Sequence, residues 1–137
     1  MSPERTKVLF DTFPDLYRGK DESLQYNLMP FGFECGDGWF ELVWKLSDQL
    51  TRLAKYEGYP VKAFQVKEKF GGLRFYTDGA TDIMDACIGQ AESRSECTCE
   101  YCGCWTTNKT KGWITTVCTV CLDKLPVDSD VYDRRQK

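Results

Sequence analysis

CTCEYCGC at residues 97–104, followed by CTVC at 118–121, places six of the chain's eight cysteines in one C-terminal stretch. The best-spaced four are Cys99, Cys102, Cys118 and Cys121: a CxxC pair, fifteen residues, and a second CxxC pair. That is the spacing of a zinc ribbon, and it predicts a metal ligand set. Gly103 follows the first pair, where a tight metal-binding knuckle turns the backbone back and favours positive φ. Between the pairs, NKTKG (108–112) reads as a turn and WITTV (113–117) as a strand. Four thiolates close a tetrahedral shell and leave no position for water, so the zinc is expected to be structural. The motif of a zinc deaminase, with its glutamate and its proline before CxxC, is missing from the sequence. Cys97 and Cys104 read as packed thiols beside the site, although spacing alone also lets either replace a member of the quartet. Cys35 and Cys87 read as small core residues.

Working outward, the chain has 137 residues, enough for one domain with a small appended module. A hydrophobic fraction of 42% supports a core, and a net charge of −3 argues against a general nucleic-acid binder. The absence of histidine removes the commonest general base at neutral pH. No apolar run suits a membrane span, and MSPERTKVLF lacks a signal-peptide core. Cysteines paired as CxxC suit a reducing compartment, so a cytoplasmic setting is expected.

The rest of the chain divides by periodicity. VLFDTFPDLY reads as a short helix stopped by Pro14. A helix is expected from about Gly38 to Glu57, with Asp37 as its N-cap and Trp39, Val43, Leu46, Leu50 and Leu53 on one face. Gly58 and Pro60 end it. Residues 61–70 alternate as a strand, with Phe64, Val66 and Phe70 on the buried side and Gln65, Lys67 and Lys69 on the other. Gly71-Gly72 signals a hairpin, and the return strand puts Leu73 and Phe75 on one face, Arg74 and Tyr76 on the other. A second helix is expected over about 81–96, with Ile83, Met84, Cys87, Ile88 and Ala91 on its apolar stripe. The predicted fold is α+β: a helix packed on a short antiparallel sheet over 1–96, a four-cysteine zinc-ribbon module over 97–125, and a loosely ordered polar tail over 126–137.

The hairpin carries the densest chemistry. Residues 61–76 hold Lys62, Lys67, Lys69 and Arg74 against Glu68, whereas 77–100 hold six acids against Arg94. Lys67, Lys69, Arg74 and Tyr76 are therefore the first candidates for an anionic ligand, on the condition that the hairpin register brings them together. Asp37 and Trp39 come second: the glycines of ECGDGW would let the backbone approach a ligand at a helix start. Alternating lysines also mark the ordinary solvated face of a strand.

Two rival readings use other residues. The ribbon could bind nucleic acid through Lys109, Lys111, Trp105 and Trp113, although packing of both tryptophans against the domain is the favoured expectation. A nuclease or phosphodiesterase could use Asp37, Glu41 and Glu68 with Mg²⁺; it ranks last for want of a clear carboxylate cluster.

Taken as a set, CGDGW, QVKEKFGGLRFY and CEYCG, spread over about residues 31–121, resemble a family of small proteins encoded by phages, prophages and bacteria. The resemblance implies a phage accessory protein, a class that often counters host defences. The expectation is thus a non-enzymatic protein that sequesters a nucleotide-like host immune signal or blocks a host defence protein.

Overall fold

Ser2 caps the first helix, its hydroxyl accepting the Arg5 N–H at 3.3 Å, and Pro3 takes the first-turn position where its missing donor costs nothing. This helix, α1, spans Pro3–Thr12 in the computed structural model, which describes residues 1–125 and 131–133. It ends just before Pro14, as expected.

The central sheet is mixed, which corrects the antiparallel expectation. Its order is β1 (Phe33–Glu34), β2 (Lys62–Lys69), β3 (Gly72–Asp78). The hairpin β2–β3 is antiparallel, while β1 runs parallel to β2 with Phe33 opposite Val66 and Glu34 opposite Lys67. Two residues are too short for an alternation signal, so β1 escaped the sequence reading.

The strand faces also differ from simple alternation. The register shifts between Ala63 and Gln65, and this bulge lets Ala63 and Val66 both face the core. Phe70 leaves the expected buried side: it and Gly71 form the two-residue turn, with φ of 55° and 82°. Positive φ at both central positions is what a tight hairpin of matching twist requires. Phe70 is consequently 72% exposed.

α2 spans Phe40–Glu57 after a 3-10 turn at Asp37–Trp39, and Gly58 ends it in the left-handed conformation. Val43, Leu46 and Leu50 of α2 join Val66, Leu73 and Phe75 of the sheet in one hydrophobic cluster. Tyr17 ties these layers together. Its ring meets Phe33 and Phe75 edge-on, and its hydroxyl bonds Ser47 Oγ at 2.6 Å. α3 (Asp82–Ser95) is capped by Thr81 and buries Met84, Ile88 and Ala91, whereas Ile83 turns to solvent. It also covers the outer edge of β3: Ser95 Oγ accepts the Leu73 N–H at 2.8 Å and Glu92 Oε2 the Phe75 N–H at 2.9 Å. An otherwise unpaired strand edge is thereby closed.

The C-terminal part departs from the ribbon expectation. Thr110–Gly112, read as turn, is strand β4; residues 113–117, read as strand, contribute one bridge, Thr116 to Lys109. The second cysteine pair opens a short helix, α4 (Thr119–Lys124). The expected loose tail, 126–137, falls mostly outside the described residues, but within it Val131–Asp133 forms β5 and pairs antiparallel with β4.

Candidate metal centre and anion-binding face

The sulfurs of Cys99, Cys102, Cys118 and Cys121 all lie within 4.8 Å of one another. Metal–sulfur bonds of about 2.3 Å in a tetrahedron hold sulfurs about 3.8 Å apart; Cys102 and Cys118 are at 3.7 Å. The quartet can hold a metal ion. One half comes from a knuckle, with Gly103 at φ 83°; the other comes from the start of α4, where Cys118 is the N-cap. Backbone donors reach two of the sulfurs. Cys99 Sγ accepts the Cys118 N–H and Cys118 Sγ the Cys121 N–H, each at 3.4 Å. The latter bond is the main reason the Cys118 thiol is pulled down to about 6. Around it the module's buried apolar cluster among the described residues is Cys99, Val117, Cys118 and Leu122, two of them beyond the ligands.

Cys104 is not one of the four but lies beside them, its thiol against those of Cys102 and Cys118 and its carbonyl accepting the Cys99 N–H at 2.8 Å. Cys97 is half-buried and its carbonyl accepts the Thr106 N–H at 2.9 Å. Cys35 is a core thiol, pushed up to about 12 by burial.

The ECGDGW motif proves to be the dock for this knuckle. Gly38 N–H donates to the Glu100 carbonyl at 2.8 Å, Gly36 N–H to Glu100 Oε2 at 2.9 Å, and Trp39 Nε1 to the Thr98 carbonyl at 2.9 Å. Burial outweighs the Gly36 hydrogen bond and holds the Glu100 carboxyl above the usual range. A Cβ on Gly36 would come within 2.3 Å of the Glu100 carbonyl oxygen. The glycines thus admit protein backbone, not a ligand. Asp37, expected as an N-cap, instead accepts the Ser2 N–H at 2.7 Å. Trp39 is fully buried, which removes it from the candidate ligand contacts.

The hairpin register does bring the cations together. Lys67 stands directly opposite Arg74, and Gln65 opposite Tyr76. Like charges placed so are destabilising. Glu34 flanks Lys67 on the other side, yet its carboxylate takes the Gln65 amide at 3.4 Å. Among the described residues no ion pair involves Lys67, Lys69 or Arg74. Arg74 Nη1 donates to the Leu73 carbonyl at 2.9 Å.

Beside this face lies a groove of about 260 Å³ lined by Lys67, Glu68, Lys69, Phe70, Gly112, Trp113 and Ile114. It was not legible in the sequence, because its walls come from the hairpin tip and the metal module. Trp113 is 68% exposed and Trp105 75%, so the expectation that both pack against the domain is corrected. Lys109, by contrast, donates to the Glu96 carbonyl and, at 2.5 Å, to Thr116 Oγ1. That weakens it as a phosphate contact.

A larger cleft of about 500 Å³ gathers Arg5, Lys45 and Arg94 with Asp37, Glu41 and Cys102. With a divalent ion bound, the four thiolates would carry a formal charge of about −2. Together with the two acids that charge would outweigh the three cations, so a metal-loaded cleft would not favour an anion. Nor do the carboxylates of the enzyme reading assemble a centre: among the described residues, the cysteine quartet is the one group of three or more candidate ligands within reach of a single ion. No helix is long and apolar enough to cross a membrane among the described residues. Comparisons with family models, curated proteins and solved structures give no match to this chain.

Proposed function

We propose that the protein is a non-enzymatic binder of an anionic, nucleotide-like ligand, and that zinc in the cysteine quartet is structural. The carrying observation is Lys67 opposite Arg74, with Lys69 beside them and no ion pair to any of the three among the described residues. A fold that keeps such repulsion without an internal partner is poised for an external anion. Tyr76, 40% exposed on the same face, can add a hydroxyl donor. Zinc is supported by the all-thiolate donor set and by the paired CxxC spacing. Its role is to hold a module whose own apolar core is too small to fold alone.

The resemblance to phage-encoded proteins makes sequestration of a host immune nucleotide, or capture of an acidic host protein, the biological form of this reading. Native mass measurement of the protein purified from its cell tests it. A co-purifying anionic molecule, lost in the Lys67→Ala/Arg74→Ala variant, is the expected result. A bare metal-loaded chain that also fails to bind nucleotides or acidic proteins overturns it.

A second reading, single-stranded nucleic acid, is favoured by the exposure of Trp105 and Trp113. It predicts binding that weakens steeply with salt and falls in a Trp105→Ala variant.

A further inference from the structure

We propose that the groove between the hairpin tip and the metal module is a nucleobase slot, with Phe70 and Trp113 as its aromatic walls and Lys67 and Lys69 at the phosphate end. This rests on the anionic-ligand reading above and names the ligand class: a nucleotide with an unpaired base.

Three observations converge. First, Phe70 and Trp113 line one groove and are 72% and 68% exposed, although large aromatic rings normally supply core. Phe70 is placed outward by the backbone itself, because the φ of 55° that it adopts in the turn is rare for a bulky residue. Second, the cations lie at the same place. Lys67 and Lys69 line the groove on either side of Glu68, whose Oε2 is buried without a hydrogen-bond partner among the described residues, and Lys69 Nζ stands 5.7 Å from the centre of the Phe70 ring. A planar π-system between the rings and a phosphate at the lysines would satisfy both features; a bare anion would leave the rings unused. Third, the volume of about 260 Å³ falls just below the small-molecule range of about 300–1,000 Å³. It suits one base with its sugar and phosphate in solvent.

The second wall is held in place from the metal module. Thr116 Oγ1 donates to the Gly71 carbonyl at 2.6 Å, and a Cβ on Gly71 would meet Ile114 at 3.0 Å. The slot therefore exists only while the module is folded on the turn. Loss of metal should remove the base site while leaving the hairpin cations in place.

The test uses the full metal-loaded chain and calorimetric titration with AMP, GMP, adenosine, inorganic pyrophosphate and a 5′-phosphorylated tetranucleotide. Expected is nucleotide binding tighter than that of pyrophosphate or adenosine. It should weaken about tenfold or more in Trp113→Ala and in Phe70→Ala, and be largely retained in Trp113→Phe. Both side chains are exposed, so these variants should fold; circular dichroism and metal content check that they do. Tetranucleotide favoured over AMP, with steep salt dependence, identifies a strand end as the source of the base; equal affinity identifies a free nucleotide; either supports the slot. Pyrophosphate binding as tightly as AMP, unaffected by Trp113→Ala, overturns the slot and leaves the anion reading standing. No binding by any probe overturns both.

Discussion

The backbone N–H of Gly38 donates to the carbonyl oxygen of Glu100 at 2.8 Å, and a Cβ on Gly38 would lie 2.2 Å from the carbonyl oxygen of Cys99. Backbone meets backbone here, so neither side can yield by a rotamer change. Gly38→Ala should cost about 1–3 kcal/mol, the range for forced overpacking. Denaturant unfolding of the metal-loaded protein measures it, and parent-like stability would contradict this docking.

Gly89 offers the opposite case. It lies inside α3, and an added Cβ would meet nothing within 4 Å. Gly89→Ala should stabilise by about 0.8–1.0 kcal/mol through helix propensity alone. A shift in the urea midpoint with an unchanged slope is the expected signature.

The metal should follow the sulfur geometry. Cys102→Ser and Cys118→Ser should each lose bound zinc, whereas Cys35→Ser, Cys87→Ser, Cys97→Ser and Cys104→Ser should keep one ion per chain, read by elemental analysis. Chelation of the parent should melt residues 97–125 first, because their apolar core holds little beyond the ligands themselves. Amide hydrogen exchange with and without metal would locate the change.

Lys67→Gln should separate stability from binding. Removing one of two opposed cations should leave the ligand-free protein unchanged or up to about 1 kcal/mol more stable. The same change should weaken binding of the anionic ligand. Weakened folding together with unchanged binding would return Lys67 to the ordinary solvated face of a strand.

Thr116 is fully buried and joins three elements, donating to the Gly71 carbonyl while accepting from Lys109. Thr116→Val keeps the shape and removes both bonds. The cost should be about 1–3 kcal/mol, because buried partners are left unsatisfied. Groove ligands should weaken with it. Unfolding and titration of one preparation test both effects.

Much of this was legible from local signals. The cysteine quartet stood out because metal geometry imposes a fixed spacing on a short chain. The apolar face of α2 and its glycine stop were visible for the same reason: helix periodicity is a property of near neighbours. The face of β2 was misread at Phe64 and Phe70 because one bulge and one turn residue break the period of two. Neither leaves a mark in composition.

What the sequence by itself determined was which residues could hold a metal, where the long helix and hairpin lie, and that cations gather on the hairpin. Only the tertiary structure decided what the glycines of CGDGW are for, since their partner Glu100 lies more than sixty residues further along the chain. It also decided that Trp39 is core and that Trp113 is surface, although both are the same residue type. Burial depends on which elements meet, and those meetings are made by long-range packing and backbone hydrogen bonds that no local pattern encodes.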